Sequence, residues 1–210
     1  MTMVSALELE TRLLRRAMGP AHTRPIGLTM SRTDLPALCH DLGFTRGAEI
    51  GVWRGAFSAT FCAAAPALHM LCVDPWVSYP AWVDTKNNTA DPVAFMAESY
   101  QHACNRLTSL NATIVRKFSE EAAPDVPDRS LDFVYIDGNH AFDAVSQDLA
   151  LWAPKVRAGG FVAGHDFRAF ANKPFIHVIE AVEAYTLSYD IDPWFVLAGD
   201  RTPSFLWVVR

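Results

Sequence analysis

Short apolar runs alternate with segments of helical period along most of the chain. The run "AEIGVW" at 48–53 predicts a strand, and a glycine-rich turn separates it from a helical segment, "GAFSATFCAAA", that stops before Pro66. A second apolar run, "LHMLCVD" at 68–74, predicts the next strand and ends on an acid. Strand, glycine turn, helix and strand in this order indicate a βαβ unit.

The same alternation continues toward the C-terminus. Helices are predicted after the Asp91-Pro92 pair, over 141–152 and near 177–187, where apolar residues recur at helical spacing. Strands are predicted at the apolar runs between and after these helices, which are "ATIVRKF", "SLDFVYID", "FVAG", "WFVLAG" and "SFLWVVR". The last two runs are joined by a short link and predict a hairpin, so we expect an α/β sandwich with one antiparallel edge.

The N-terminal segment has a pattern of its own. Residues 4–18 have a helical period that places Leu7, Leu14 and Met18 on one face, and a second helix is predicted over 32–42. We therefore expect residues 1–45 to form a helical cap beside one larger domain at 46–210. The cap is predicted either to cover the pocket of a substrate or to build the interface of a homodimer.

Composition narrows the class of protein. The 210 residues carry a net charge of −5 with a pI of about 5.8, which argues against nucleic acid or an anionic membrane surface as a partner. No uncharged apolar run approaches the ~18 residues that a membrane span needs. The four cysteines lack CxxC spacing and no export signal precedes them, so we expect reduced thiols in a cytoplasmic protein.

The glycine turn "EIGVWRG" at 49–55 carries the first candidate chemistry. In the dinucleotide fingerprint G-x-G-x-x-G the second glycine lets the backbone approach a pyrophosphate, and Trp53 stands at that position, which disfavours a nicotinamide cofactor. Glu49 is placed to meet a cationic amino group. Asp74, at the end of the next strand, is placed to accept hydrogen bonds from the two hydroxyls of a ribose.

This stretch resembles motif I and the following acid of the class I S-adenosylmethionine-dependent methyltransferases. The resemblance implies that the glycine turn lines the methionine and ribose parts of the cofactor and that the acid binds ribose. Ser119 either bonds the adenine or caps the next helix. Trp76 either faces the adenine, joins Tyr79 and Trp82 in an aromatic loop over the acceptor, or belongs to a packed loop that covers the sheet. The implied cofactor residues are Glu49, Gly51, Trp53, Gly55, Asp74, Trp76 and Ser119.

Two polar clusters follow neighbouring predicted strands. Asp137 ends "SLDFVYID", and His165 and Asp166 follow "FVAG" after a crossover helix. Because such a crossover makes the strands parallel, their carboxyl ends meet at one edge of the sheet, where a cation could bridge the clusters. His140 has an intrinsic pKa near neutrality, which suits a general base. The alternatives are that His140 caps the crossover helix, that Asp137 braces a turn and that His165 only orients Asp166.

The stretch "YIDGNHAFDAVSQDLALWAPKVRAGGFVAGHDF" at 135–167 resembles a bacterial class I methyltransferase family related to macrocin-type O-methyltransferases and cephalosporin-hydroxylase-like proteins. The resemblance implies a Rossmann-like three-layer sandwich, with a mostly parallel seven-stranded sheet and an antiparallel C-terminal strand.

A looser likeness to catechol O-methyltransferase places Asp137, His165 and Asp166 at the positions of that enzyme's metal ligands. His140 falls at the position of its catalytic lysine. Both likenesses together imply metal-assisted O-methylation, with Mg²⁺ or Mn²⁺, of a hydroxyl on a small molecule or glycan.

Two other functions suit the same residues. A mixed set of histidine and aspartate ligands is also typical of non-haem metal hydroxylases. A nucleoside-binding protein that has lost catalysis would retain the glycine turn and Asp74 without using His140.

Overall fold

An eight-stranded sheet forms the centre of the computed structural model, which describes residues 5–19, 24–78, 91–171, 173 and 175–210. The strand order is β1-β7-β8-β6-β5-β2-β3-β4. The strands are β1 (Ile26–Leu28), β2 (Arg46–Ile50), β3 (His69–Val73), β4 (Ala112–Val115), β5 (Leu131–Ile136), β6 (Val156–Gly164), β7 (Trp194–Leu197) and β8 (Ser204–Val208). Tyr79 and Trp82 of the predicted aromatic loop lie outside the described residues.

Helices connect the strands and cover both faces of the sheet. The α-helices are α1 (Ala6–Leu14), α2 (Leu35–Asp41), α3 (Ala56–Ala64), α4 (Pro92–Leu107), α5 (Ser119–Ala122), α6 (Phe142–Trp152) and α7 (Val178–Ser188). Short 3-10 turns lie at Arg32–Asp34, Ala123–Asp125 and Ala153–Lys155. This arrangement confirms the predicted α/β class and the alternation of strands and helices.

The sheet is parallel except at β8. This strand runs antiparallel to both of its neighbours, β6 and β7, while β1 lies parallel to β7 at the edge. The predicted antiparallel C-terminal strand is therefore confirmed. The sheet has eight strands where the resemblance implied seven, because β1, within the range predicted as a helical cap, adds a strand to it.

Each face of the sheet buries its own set of side chains, because successive strand residues point to opposite sides. On one face, the ring of Phe133 packs with Phe61 and Phe161 at centroid separations of 4.8 and 5.1 Å. On the other face, Val134 belongs to a second cluster with Trp152 of the crossover helix. The strands are thus anchored on both sides, which fixes the positions of their carboxyl ends.

The apolar face predicted for the first helix is wrong. Leu7 and Met18 are 74% and 63% exposed, whereas Leu9 and Leu13 are buried. Leucines lie on two sides of this helix. Leu9 and Leu13, four positions apart, form the side that is buried where the helix contacts β6 and β8. Helical period alone cannot choose between two such sides.

Glu10 lies on the same buried side of α1. Its two carboxylate oxygens each accept a hydrogen bond of 2.9 Å from Arg210, at the end of the chain. The first helix is therefore tied to the C-terminal strand by an ion pair as well as by its leucines.

Two findings bear on the predicted environment of the protein. Within the described residues, no helix is long and apolar enough to cross a membrane. All four cysteines are free thiols; Cys39, Cys62 and Cys72 are buried and Cys104 is partly exposed.

Candidate active site

The strand order reverses between β2 and β5. β3 and β4 follow β2 on one side, and β5 pairs with β2 on the other. Ligands of open α/β sheets bind outside the carboxyl ends of the strands at such a reversal, and a cavity of about 550 Å³ lies there. Of the residues predicted from the sequence, those that line it are Glu49, Gly51, Trp53, Asp74, Ser119, Asp137 and His140.

The glycine turn lies against the end of β5. Gly51 has a φ of +89°, and a Cβ at this position would overlap the carbonyl oxygen of Asp137. Gly55 has a φ of +71°, and a Cβ there would lie 3.0 Å from Leu107. Both positions need glycine, and the turn is brought within backbone contact of Asp137.

Asp74 holds the glycine turn in place. One carboxylate oxygen accepts hydrogen bonds from the N–H groups of Val52 and Trp53, at 3.0 and 2.8 Å, and the other accepts one from Trp76 at 2.7 Å. Burial raises the pKa of Asp74, and these three hydrogen bonds oppose that rise. The oxygen that accepts from Trp76 has a second lone pair, so the same group can still accept from a ligand in the cavity.

The two tryptophans of the predicted cofactor set have different environments. Trp53 is 54% exposed and lines the cavity. Trp76 is buried, packs on Tyr100 at 4.9 Å and donates a hydrogen bond of 2.6 Å from its ring N–H to the carbonyl of Trp53. The Trp76 ring does not line the cavity. It supports the glycine turn through its hydrogen bond to the carbonyl of Trp53.

Glu49 lies buried at the base of the cavity. Its carboxylate accepts a hydrogen bond from the hydroxyl of Ser58, which in turn accepts one from the Cys72 thiol at 3.1 Å. Burial raises the pKa of Glu49 to about 8, and the charge of Asp137 adds to the rise, while the Ser58 bond opposes it. Glu49 therefore holds a proton near pH 7 until a cation approaches it.

Ser119 faces a buried acid, Asp148, that was not predicted from the sequence. Its hydroxyl donates to Asp148 and accepts a hydrogen bond of 2.8 Å from the ring N–H of Trp152. Phe118 occupies the cap position of α5, so the Ser119 side chain does not cap that helix. Burial raises the pKa of Asp148 to about 6. The sequence offered one signal for this contact, because Asp148 lies four positions before Trp152 on the same face of α6.

Asp137, His140 and Asp166 form the second cluster of the site. One ligand atom from each lies within 4.8 Å of the others. His140 Nε2 is 3.4 Å from Asp137 Oδ1 and 3.0 Å from Asp166 Oδ2. His165 Nδ1 lies at the side, 3.7 Å from Asp137 and 3.4 Å from Asp166. The expected convergence occurs because β5 and β6 are parallel neighbours.

Charges within this cluster compensate one another. Burial opposes ionisation of Asp137, but hydrogen bonds with His140 and His165 leave its pKa well below the usual range. Burial lowers the pKa of His140, but Asp137 and Asp166 outweigh it and raise the value to about 9. The near-neutral intrinsic pKa of histidine therefore does not describe His140 in this arrangement, because two carboxylates favour its protonated form. The His140 side chain does not cap α6; Asn139 accepts a hydrogen bond from the N–H of Ala141 there.

The donor set is compatible with a divalent cation. Two carboxylates with one or two imidazoles offer a mixed oxygen and nitrogen set, which suits Mn²⁺ or Fe²⁺ better than Mg²⁺. A cation would replace the proton on His140 as the partner of the two carboxylates, since ligands must be deprotonated to bind metal.

Arg32 lies beside the cluster of Asp137, His140 and Asp166, although it was not predicted from the sequence as a site residue. Its Nη1 is 3.6 Å from Asp137 Oδ2, and it lines the cavity. It comes from the segment before α2, more than 100 positions before Asp137, so no local pattern indicated it.

Comparison with known families gives one match that covers more than half of the chain. Residues 48–167 match a family model described as a methyltransferase domain. Among curated proteins, uncharacterized protein y4gI of Sinorhizobium fredii is 28% identical over 136 residues. That alignment covers 61% of this chain and 14% of the relative, so this chain spans a small part of that protein's length.

Solved structures share the fold at low sequence identity. The O-methyltransferase NovP has a TM-score of 0.60 and 18% identity, over 85% of this chain and 79% of NovP. An O-methyltransferase from Bacillus cereus in complex with SAH has a TM-score of 0.57 and 11% identity, over 97% and 87% of the two chains. TomG from Streptomyces achromogenes, in complex with SAM, has a TM-score of 0.53 and 14% identity, over 85% and 79%.

Proposed function

The chain belongs to the methyltransferase domain family, and on that premise we propose that it transfers a methyl group from S-adenosylmethionine to a hydroxyl of a small molecule or glycan. One observation carries the proposal. A single cavity is lined by the glycine turn and Asp74 and also by Asp137 and His140, which form a cluster with Asp166. The first part suits a nucleoside with an amino-acid tail, and the second suits a hydroxyl that must lose a proton.

The cofactor residues divide the ligand among them. Asp74 accepts hydrogen bonds from the ribose hydroxyls, and the glycine turn lies along the methionine part. Glu49 faces the cationic amino group at the base of the cavity. Ser119, held by Asp148, lies at the adenine end, and Trp53 covers the ligand from the solvent side. This division is supported by the fact that Glu49, Gly51, Trp53, Asp74 and Ser119 all line the one cavity at the reversal of the strands.

The acceptor is placed at the Asp137 cluster. Asp137, His140 and Asp166 would hold a divalent cation such as Mn²⁺ or Mg²⁺, which, when bound, lowers the pKa of a coordinated hydroxyl. Asp166 is steadied by His165, which lies 3.4 Å from it. His140 can accept a proton from the acceptor only when its Nε2 neither carries a proton nor binds the cation, because that nitrogen has one lone pair and the two carboxylates favour its protonated form.

A second candidate function rests on the donor set itself. Histidine and carboxylate ligands with open positions are typical of non-haem iron oxygenases. Stoichiometric iron in the purified protein, together with oxygen consumption, would favour a hydroxylase. Methyl transfer with Mn²⁺ or Mg²⁺ and no oxygen consumption would exclude it.

The N-terminal residues set the surroundings of the site. We propose that residues 1–45 cap the cavity, because Arg32 from this range lines it. Leu7 on α1 and Met18, after the end of that helix, are exposed and are the surface that a homodimer would use. A cytoplasmic location is proposed from the reduced thiols.

Binding of S-adenosylhomocysteine, the demethylated product, tests the proposal directly. Calorimetry should show binding to the wild type and a loss of at least roughly tenfold in Asp74→Ala, because charge-assisted hydrogen bonds to the ribose are removed. Asp74→Asn, which keeps the size of the side chain, should fall between the two.

Asp128→Ala is the matched control for this experiment. Asp128 is an exposed acid that pairs with Lys155, so its removal should leave the affinity unchanged. A wild-type protein that binds neither S-adenosylmethionine nor its product would remove the proposal.

A further inference from the structure

We propose that Arg32 binds the α-carboxylate at the amino-acid end of the cofactor. This inference rests on the proposed function and adds a binding residue from outside the matched methyltransferase region, 48–167. A carboxylate at this position could also belong to the acceptor. The arguments below favour the cofactor, and the experiment separates the two sources.

Arg32 is held in a defined position from two sides. Its backbone N–H donates a hydrogen bond of 2.6 Å to Asp200, and its guanidinium lies 5.2 Å from the ring centroid of Phe57. Phe57 in turn packs edge-on against Tyr135 at 4.6 Å. The cation is therefore presented to the cavity by a rigid aromatic support and not by a free side chain.

The guanidinium retains donors for a ligand. Its polar neighbours among the described residues are Asp137, at 3.6 Å, and the hydroxyl of Tyr135, which is itself hydrogen-bonded with Ser204. A guanidinium has more N–H groups than these two contacts use, and 3.6 Å is longer than a good hydrogen bond. The side chain is one-third exposed and faces the cavity, so a carboxylate can reach it.

The charges beside Arg32 match an α-amino acid. Asp137 directs Oδ1 toward His140 and His165 and Oδ2 toward Arg32. A neighbouring anion and cation are complementary to a zwitterion, in which an ammonium and a carboxylate lie on adjacent carbons. In the proposed site Glu49 takes the ammonium end, and Arg32, beside Asp137, takes the carboxylate end of the same group.

The position along the cavity favours the cofactor as the source of the carboxylate. Phe57, the support of Arg32, lies in the first turn of α3, directly after the glycine turn proposed to line the methionine part. Arg54, the other arginine that lines the cavity, instead stacks on Trp53 and Phe95 at 5.4 and 5.2 Å and lies 3.8 Å from Glu98. Arg32 is therefore the arginine placed at the amino-acid end.

The test compares S-adenosylmethionine with decarboxylated S-adenosylmethionine, which differ only in the carboxylate. Both are titrated by calorimetry into the wild type, Arg32→Met and Arg32→Lys. Methionine keeps an unbranched side chain against Phe57 but has no charge. Lysine restores the charge but lacks the planar set of N–H donors that a guanidinium offers to a carboxylate. Arg12→Met, on the surface of α1, controls for the change in net charge. Thermal unfolding of each variant checks the fold.

We expect the wild type to prefer S-adenosylmethionine over the decarboxylated form by roughly 10- to 100-fold, as for a charge-assisted hydrogen-bonded pair. Arg32→Met should lose that preference while binding the decarboxylated form as the wild type does, and Arg32→Lys should recover part of it. Arg12→Met should retain the full preference.

Other outcomes overturn the inference. A preference that survives Arg32→Met would do so, as would an equal loss of both ligands, which would mean a structural role. Lost turnover with unchanged binding of both ligands would assign the carboxylate to the acceptor and would also overturn it. Failure of the proposed function looks different, because the wild type would then bind neither ligand nor 5′-methylthioadenosine.

Discussion

Glu49 connects the proposed cofactor site to the pH of the solution. It is buried, and its pKa of about 8 means that the free protein holds a proton there near pH 7. The proposed ligand brings a cationic amino group to this carboxyl. A nearby cation favours the ionised form, so binding and loss of the Glu49 proton are linked.

We predict that binding of S-adenosylhomocysteine near pH 7 releases close to one proton. Calorimetric titrations in buffers with different ionisation enthalpies measure this number directly. Glu49→Gln, which cannot ionise, should show no release. A binding enthalpy in the wild type that does not depend on the buffer would contradict the assigned role of Glu49.

The same shift determines how Glu49 affects stability. Its pKa is raised in the folded state, so between about pH 4.5 and pH 8 the folded protein binds more protons than the unfolded chain. The stabilisation is full below the unfolded pKa and is lost as pH rises through the folded pKa. Glu49→Gln should remove this part of the pH dependence of the free energy of unfolding.

The residues that the sequence predicted well are those placed by strand ends. Asp137 and Asp166 converge because a crossover helix makes β5 and β6 parallel neighbours, which follows from chain connectivity alone. Arg32 and Asp148 reach the site by tertiary contacts across distant parts of the chain. The raised pKa of His140 depends on such a contact too, since Asp137 and Asp166 follow two different strands.

At the scale of elements, the glycine turn is the most sensitive segment of the site. It joins β2 to α3 and touches the end of β5 through Gly51, where a side chain would overlap the backbone of Asp137. Because this contact is between backbones, neither side can relax by a change of rotamer. The turn and the Asp137 cluster are therefore held at a fixed separation.

Gly51→Ala should destabilise the fold by roughly 2–4 kcal/mol, from a left-handed φ and a backbone overlap together. Chemical denaturation measures this value. Gly19→Ala is the matched control, because no atom lies within 4 Å of a Cβ at that position, and it should change stability by less than about 0.5 kcal/mol. Equal stabilities for the two variants would show that the turn adapts.

Elements at the N-terminus show where sequence patterns stop being informative. α1 buries Leu9 and Leu13 where the pattern favoured Leu7, because the choice between two sides depends on the surface that the helix meets. β1 has three residues, too few for an alternating pattern to register, and it is a strand only because β7 offers a free edge. The longer strands and helices, whose periods extend over more residues, were predicted.

For the whole molecule, the reversal of strand order explains why one cavity serves two chemistries. β2 and β3 bring the glycine turn and Asp74 from one side, and β5 and β6 bring Asp137 and Asp166 from the other. The alternation of strands and helices along the chain is sufficient to predict this architecture. The identity of the acceptor was not predictable, because it depends on segments without a periodic pattern.

A crystal structure with S-adenosylhomocysteine tests the central claim, that this one cavity binds the cofactor and directs its sulfur toward the acceptor cluster. We expect the ribose hydroxyls to be bonded to Asp74 and the sulfur to face the side of the cavity formed by Asp137 and His140. A ligand bound elsewhere, or one whose ribose avoids Asp74 and whose sulfur faces away from Asp137, would contradict the account.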